Sequence, residues 1–114
     1  MEKTIQINNK DVTFKTSAAL PRLYMTMYGR DIFADMMRLE GTNEEQALDG
    51  TVINILEDVA FCMARHADKS VGNDVVEWLE GFDTFGVIKA LPEILALWRS
   101  EMETSSVPES SSEQ

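Results

Sequence analysis

The nearest approach to a chemical site is formed by Asp58, Cys62 and His66, which recur at a spacing of four. That spacing places all three side chains along one face of a helix. Carboxylate, thiolate and imidazole groups are zinc ligands, but a structural zinc site needs four of them, usually from two elements. The sequence contains no second cysteine or histidine. We therefore predict no metal site and no cofactor, with His66 near a helix C-terminus, where a cation suits the helix dipole.

Nucleophilic catalysis by a Cys62–His66 pair is an alternative use of these residues. Cys62 lies between Phe61 and Met63, an apolar setting that disfavours the thiolate. The sequence lacks GxSxG, GxGxxG, HExxH and phosphate-loop motifs, and no pair of carboxylates stands out as an acid–base couple. We predict a protein without catalytic residues. A small enzyme or metal protein using Cys62 and His66 stays open as a hypothesis, which changing both to Ala would test.

The charge balance points away from nucleic acid and membranes. The chain carries 20 acidic against 10 basic residues, a formal net charge of -10 over 114 residues. Such a field repels phosphate backbones and anionic headgroups, and it favours basic or mixed-charge partners. The single cysteine allows no intramolecular disulfide. With no signal peptide and no apolar run of the ~18 residues that a membrane span needs, we expect a cytoplasmic protein.

A β-hairpin is predicted over residues 3–15. Ile5 and Ile7 would share one face of the first strand, and Val12 and Phe14 one face of the second. Between them lies a run with turn chemistry, because Asn and Asp tolerate positive φ: Asn8-Asn9-Lys10-Asp11. A lone hairpin is marginal in water, so its apolar face is expected to pack on helices.

About five helices are predicted to follow. Their starts are expected at side chains that can accept a hydrogen bond from the first turn: Ser17, Asp31, Thr42 (in a capping box with Glu45), Asn73 and Thr84. Three glycines end or interrupt them: Gly29, Gly41 and Gly81. The strongest helical signal runs from Thr51 to about Ala67, with a single apolar stripe: Val52, Leu56, Val59, Ala60, Met63, Ala64 and Ala67. Pro92 lies inside the last helical pattern and predicts a kink near Leu91.

The predicted fold class is α+β and mostly α, with the N-terminal hairpin packed on the helices in one domain over residues 1–100. A chain of this length can bury one core. Residues 101–114 form an acidic, Ser- and Glu-rich tail, which has almost no apolar residue from 104 onward. Because this tail cannot bury enough surface to offset its ordering, we predict that it is disordered.

Methionine and aromatic residues favour protein binding. Four methionines fall on adjacent predicted helices: Met25, Met27, Met36 and Met37. Flexible Met side chains re-pack around varied apolar partners, although they also serve as core filler. Aromatic residues, which are favoured interface anchors, lie near segment ends: Tyr24, Tyr28, Trp78, Phe82, Phe85 and Trp98. We predict that the partner-binding face lies on the helix pair from Tyr24 to Met37, with these candidates: Tyr24, Met27, Tyr28, Phe33, Met36 and Met37.

The order of the segments carries a resemblance to a known family. The relevant runs are the hairpin Ile5-x-Ile-Asn-Asn-Lys-x-Val-x-Phe14, then Leu20-Pro21-Arg22-Leu23-Tyr24, Tyr28-Gly29-Arg30-Asp31-Ile32-Phe33, Ala64-x-x-Ala67-Asp68, Glu77-Trp78-Leu79 and Leu91-Pro92-Glu93-Ile94-Leu95-x-Leu97-Trp98. Over about residues 3–100 the chain resembles the tail assembly chaperones of long-tailed phages and prophages of Gram-positive bacteria. These are structural residues and include no catalytic signature.

The resemblance implies a protein encoded just before the tape measure protein. Such chaperones bind that long, aggregation-prone, largely helical protein and keep it soluble while the tail tube polymerises around it. They are absent from the mature virion and can self-associate. Related families often make a longer form by a programmed ribosomal frameshift, and a short form with a disordered tail fits that pattern. The family has no catalytic residues and no cofactor.

A different class of function is an acidic inhibitor or regulator that mimics DNA and blocks a basic site on another protein. The net charge motivates this alternative. DNA mimics usually concentrate carboxylates on one surface, whereas the bases here are interspersed along the chain: Lys15, Arg22, Arg30, Arg38, Arg65, Lys69, Lys89 and Arg99. Competition with DNA for a nuclease or repressor would support it.

Overall fold

The computed structural model describes residues 1–43 and 45–111, with the backbone alone described for Ala47 and residues 104–111. Two strands open the chain, β1 (Glu2–Ile7) and β2 (Lys10–Lys15). Among the described residues, six α-helices follow: α1 (Leu20–Tyr28), α2 (Ile32–Glu40), α3 (Gly50–Ala67), α4 (Val75–Leu79), α5 (Gly86–Lys89) and α6 (Leu91–Ser111). Short 3-10 turns precede α3 and α4: Gln46–Leu48 and Lys69–Val71. The α+β, mostly α, fold class predicted from the sequence is confirmed.

The hairpin is tighter than predicted. Asn8 and Asn9 form a two-residue turn in which both residues have positive φ, 53° and 68°, as the twist of the flanking strands requires. Lys10 and Asp11, predicted in the turn, instead belong to β2, which pairs antiparallel with β1. The predicted apolar face is confirmed, with Ile5, Ile7 and Phe14 buried and Val12 half-buried against the helices.

Helix α3 is the central element of the core. It packs against β2, α1, α2, α4 and α5, and every residue from Val59 to Ala64 is buried. The predicted Thr51–Ala67 helix is confirmed, but its second half is buried almost all round rather than on one stripe. A helix enclosed on so many sides cannot keep a polar face there. The neighbouring elements are therefore positioned mainly by their contacts with α3.

Of the five predicted helix starts, one has its side-chain cap as predicted, three have a cap one residue away, and α1 has no side-chain cap. Asp31 accepts a hydrogen bond from Phe33 N at the start of α2, as predicted. Ser17 is not the N-cap of α1, because the helix begins after Ala19. The other three predicted caps are each displaced by one residue. The capping box joins Asn43 to Gln46 rather than Thr42 to Glu45. Asp74 caps α4 in place of Asn73, and Asp83, in place of Thr84, accepts a hydrogen bond from Phe85 N before α5. Glycine ends both early helices as predicted, with Gly29 at φ 68° after α1 and Gly41 after α2.

The last helical pattern contains two helices rather than one kinked helix. Helix α5 ends at Lys89 and α6 begins at Leu91, so Pro92 lies in the first turn of α6. A proline is tolerated there because the first amides of a helix have no partner within it. The helical pattern is therefore interrupted at Ala90, one residue before the predicted kink.

The backbone of α6 stays helical to Ser111, past residue 101, where the sequence predicted the start of the disordered tail. Glu101 accepts a hydrogen bond from Thr16 Oγ1 at 2.7 Å and lies 3.9 Å from the N-terminal ammonium of Met1. The contacts of the domain thus extend beyond residue 100. Residues 112–114 lie outside the described residues, and disorder of the tail stays a prediction. Among the described helices, none is long and apolar enough to cross a membrane.

Candidate partner-binding surface

The turn between α1 and α2 is fixed by Arg30, which interacts with residues from three helices. Its Nε donates to Asp35 Oδ2 at 2.9 Å, and its Nη2 donates to Tyr24 OH at 2.7 Å and to Asp58 Oδ2 at 2.9 Å. Tyr24 OH donates in turn to Asp35 Oδ2 at 2.6 Å. The guanidinium also lies over the rings of Tyr24 and Tyr28, 5.4 and 5.3 Å from their centroids. Arg30 thus holds α1, α2 and α3 in one arrangement.

The electrostatics of this cluster follow from its partial burial. Burial disfavours the cation, but the hydrogen bonds to Asp35 and Asp58 outweigh it and raise the pKa of Arg30. Burial and the bond to Asp35 raise the pKa of Tyr24, so its hydroxyl remains a donor. Burial also raises the pKa of Asp58 despite the adjacent guanidinium. The cluster therefore acts as an interhelical lock between α1, α2 and α3.

Two of the six predicted partner-binding residues belong to the core. Tyr24 and Met36 are fully buried in the core, and their contact with a partner stays a prediction. Met36 lies one turn after Ile32 and shares its buried face, because residues three or four apart lie on the same side of a helix. Tyr24 has the same relation to Leu20. The helical periodicity of the sequence placed each residue on an apolar face, but it did not show that these faces of α1 and α2 pack against α3.

Phe33 and Met37 occupy the other side of α2 and are exposed, at 51% and 77%. They are one helical turn apart and therefore form a single apolar edge. The Phe33 ring contacts the ring of Trp98 on α6, with centroids 5.5 Å apart. Met102, 52% exposed, follows Trp98 by one turn of α6. We call these four residues the α2–α6 apolar surface.

The two helices of this surface are held in register by an ion pair. Arg99 on α6 donates from Nε and Nη2 to Glu40 Oε1 on α2, at 3.0 and 2.7 Å. Both partners are partly exposed, so the pair contributes little to stability. The cation of Arg99 and the carboxylate of Glu40 do neutralise each other next to the apolar side chains.

Met27 and Tyr28 are half-buried and lie on a separate groove between α1 and α3. A cavity of about 360 Å³ is lined there by Leu23, Met27 and Cys62, with basic residues on its rim: Arg65, His66 and Lys69. Tyr28 lies on an adjoining cavity of about 320 Å³, and its hydroxyl has no hydrogen-bond partner among the described residues. The six predicted residues are therefore divided between the core, this groove and the α2–α6 apolar surface.

The Asp58, Cys62 and His66 side chains do not converge on a common point. Asp58 is bound to Arg30, and His66 Nε2 lies 2.7 Å from Ser17 Oγ. Cys62 is buried, and that burial raises the pKa of its thiol to about 11. A thiol with that pKa is a poor nucleophile at neutral pH. Among the described residues, no group of three or more Cys, His, Asp and Glu side chains could hold a metal ion.

Much of the acidic surplus has local structural roles that the sequence did not reveal. Five aspartates accept hydrogen bonds from backbone amides at the starts of helices and turns: Asp31, Asp49, Asp68, Asp74 and Asp83. Other carboxylates pair with cations: Asp35, Asp58, Glu40 and Glu93. Each of these nine carboxylates is therefore engaged by a hydrogen bond or an ion pair within the fold.

Comparison of the chain with protein-family models, curated proteins and solved structures gives no match.

Proposed function

We propose that this protein is a phage or prophage tail assembly chaperone, which binds apolar helical segments of the tape measure protein and keeps it soluble during assembly of the tail tube. The observation that carries the proposal is the pair Phe33 and Met37, exposed one turn apart on α2, with the Phe33 ring against Trp98 of α6. The resemblance of the sequence to that family supplies the identity of the partner.

The α2–α6 apolar surface suits a helical partner. An amphipathic helix presents apolar side chains three or four residues apart, which match the spacing of Phe33 and Met37. Met37 and Met102 are unbranched and polarisable, so they can re-pack around different sequences. Trp98 lies beneath, 7% exposed, and provides a rigid base for the mobile methionines. Such a surface binds many apolar helices without selecting one sequence.

The remainder of the surface supports solubility of a coated complex. A net charge of -10 repels other copies of the complex. The lock around Arg30 fixes α2 against α3, so the two exposed residues are presented on a rigid helix. A rigid, pre-formed face reduces the entropic cost of binding. The distribution of aspartates among helix caps favours this function over mimicry of DNA.

Co-expression with the tape measure protein encoded next to it tests the proposal. The chain is expected to move the tape measure protein from the insoluble to the soluble fraction and to co-purify with it. The double variant F33S/M37S should lose most of this effect, because each serine removes apolar area that the partner would bury.

Met25→Ser is the matched control. Met25 is 50% exposed on α1, outside the α2–α6 apolar surface, so M25S should behave like the wild type. The proposal fails if the wild-type chain leaves the tape measure protein insoluble, or if F33S/M37S, shown to be folded by circular dichroism, solubilises it as well as M25S does.

A further inference from the structure

The hairpin has a free edge whose hydrogen-bonding groups can be assigned from the register. Thr16 N donates to Met1 O, and the Met1 ammonium donates back to Thr16 O, both at 2.9 Å. Residues 1 and 16 are therefore a hydrogen-bonded pair, and in an antiparallel ladder such pairs alternate with non-bonded ones. It follows that residues 10, 12 and 14 of β2 bond to β1. The backbone groups of residues 11, 13 and 15 point away from it.

These outward groups lack partners among the described residues. Within the described residues, the backbone N–H and C=O groups of Asp11, Thr13 and Lys15 form no hydrogen bond. An open strand edge of this kind is a template for an added strand. The opposite edge, on β1, presents residues 2, 4 and 6 in the same way.

The β2 edge adjoins an apolar groove. A cavity of about 480 Å³ lies along it, between the strand and the helices, and is lined by Val12, Ala64, Ala67, Val71, Trp78 and Phe82. Trp78 and Phe82 stack edge to face with centroids 5.1 Å apart and form the far wall. A strand added to β2 would place every second side chain in this groove, since side chains alternate between the two faces.

The groove is rigid because the turn of the hairpin is tied to the segment before α5. Asn8 Nδ2 donates to Asp83 Oδ2 at 2.8 Å, and Asp83 N donates to Asn8 Oδ1 at 2.9 Å. Lys10 Nζ donates to Gly81 O at 2.6 Å and lies 5.5 Å from the centre of the Phe82 ring. The edge and the wall of the groove are thus held at a fixed separation.

The charges around the groove indicate the kind of segment that fits. Three carboxylates line it, those of Glu2, Asp11 and Asp68. The one lysine among the lining residues, Lys10, has its ammonium engaged by Gly81 O. A basic segment complements this rim, whereas an acidic one is repelled.

We propose that the edge of β2 binds an extended segment of a partner polypeptide in which apolar residues alternate with basic ones. The segment adds as a third strand, with its apolar side chains between β2 and the Trp78–Phe82 wall and its basic side chains next to the three carboxylates. This binding mode is independent of the helix-binding α2–α6 apolar surface.

The test uses a short capped peptide of alternating valine and lysine, with a valine–glutamate peptide as its counterpart. Backbone amide exchange and chemical shifts are measured by NMR on the full chain. The lysine peptide is expected to bind and to slow exchange of the Asp11, Thr13 and Lys15 amides by about tenfold or more. The glutamate peptide is expected to bind much more weakly.

Thr13→Pro and Thr4→Pro form a matched pair of variants. The two hydroxyls bond to each other at 2.8 Å, so either variant loses that bond, and each removes an outward N–H that β1–β2 pairing does not use. T13P should weaken binding of the lysine peptide by about tenfold or more, whereas T4P should leave it unchanged. Far-ultraviolet circular dichroism confirms that both fold.

Three results would overturn the proposal: no slowing of the edge amides, equal loss of binding in T13P and T4P, or equal binding of the two peptides. A fourth is protection of the edge amides without peptide, together with a dimer that T13P dissociates, because the occupant would then be a second copy. F33S/M37S should bind the lysine peptide normally, so failure here is distinguishable from failure of the chaperone proposal.

Discussion

Arg30 Nη2 lies 2.9 Å from Asp58 Oδ2, and this contact joins the turn between α1 and α2 to the middle of α3. The same guanidinium neutralises Asp35, which is 6% exposed on α2. Two carboxylates that the fold brings into or near the core therefore depend on one cation from the turn. That dependence makes Arg30 the residue through which the position of α2 is set.

Arg30→Met should destabilise the protein by about 2–3 kcal/mol, because Asp35 and Asp58 would lose their shared cation while remaining largely buried. The free energy of unfolding in urea measures this. Arg99→Met is the control: its pair with Glu40 is more exposed and should cost less than about 1 kcal/mol. Equal effects of the two variants would show that the Arg30 cluster does not lock the helices.

Gly86→Ala should destabilise the protein by about 1–3 kcal/mol, because there is no room for a methyl group between α5 and the hairpin turn. A Cβ at Gly86 would lie 2.6 Å from Asn8 Oδ1 and 3.0 Å from Ile7 Cγ2. Gly50→Ala serves as the control, since a Cβ there meets nothing within 4 Å. Thermal unfolding should show a lower Tm for G86A and an unchanged or higher one for G50A. Unchanged stability of G86A would contradict the close packing of the turn on α5.

His66 should make the stability of the protein decrease in mild acid. Burial, followed by the nearby Lys15 and N-terminal charges, lowers the pKa of His66 below its ordinary value of 6.5. The unfolded chain therefore binds the proton more tightly than the folded chain, so stability is full above the ordinary pKa and is lost as the pH falls from there through the lowered pKa of the folded state.

The measurement is the difference in free energy of unfolding between the wild type and His66→Gln. The contributions of the other titrating groups largely cancel in this difference, because both proteins share them. The wild type should lose stability relative to H66Q as the pH falls from about 8 to about 5. A difference that is constant, or that shifts in favour of the wild type, would mean that the folded state does not disfavour the imidazolium.

The sequence predicted those strands, turns and helix ends that are determined by residues close together in the chain. Alternation of Ile5 and Ile7 identified a strand, and Gly29 and Asp31 marked the boundary between α1 and α2, because turn geometry and capping depend on residues close in sequence. The cap before α4 was displaced from Asn73 to Asp74, since adjacent polar residues compete for the same role.

The sequence did not show which side chains are paired or buried, because pairing and burial depend on contacts between residues far apart in the chain. The spacing of Asp58 from Cys62 is that of a possible metal ligand, whereas the partner of Asp58 is Arg30, 28 residues earlier. Met36 and Met37 are adjacent and of the same residue type, yet Met36 is buried in the core and Met37 is 77% exposed. Only the direction from which α3 approaches α2 separates a core methionine from one that can contact a partner.

Hydrogen exchange on the complex with the tape measure protein tests the central claim most directly. The α2–α6 apolar surface predicts that binding slows exchange of backbone amides in Phe33–Glu40 and around Trp98–Met102, while amides exposed on α1 near Met25 exchange at the rate of the free chain. Protection confined to α1, with α2 and α6 exchanging as in the free chain, would contradict the account.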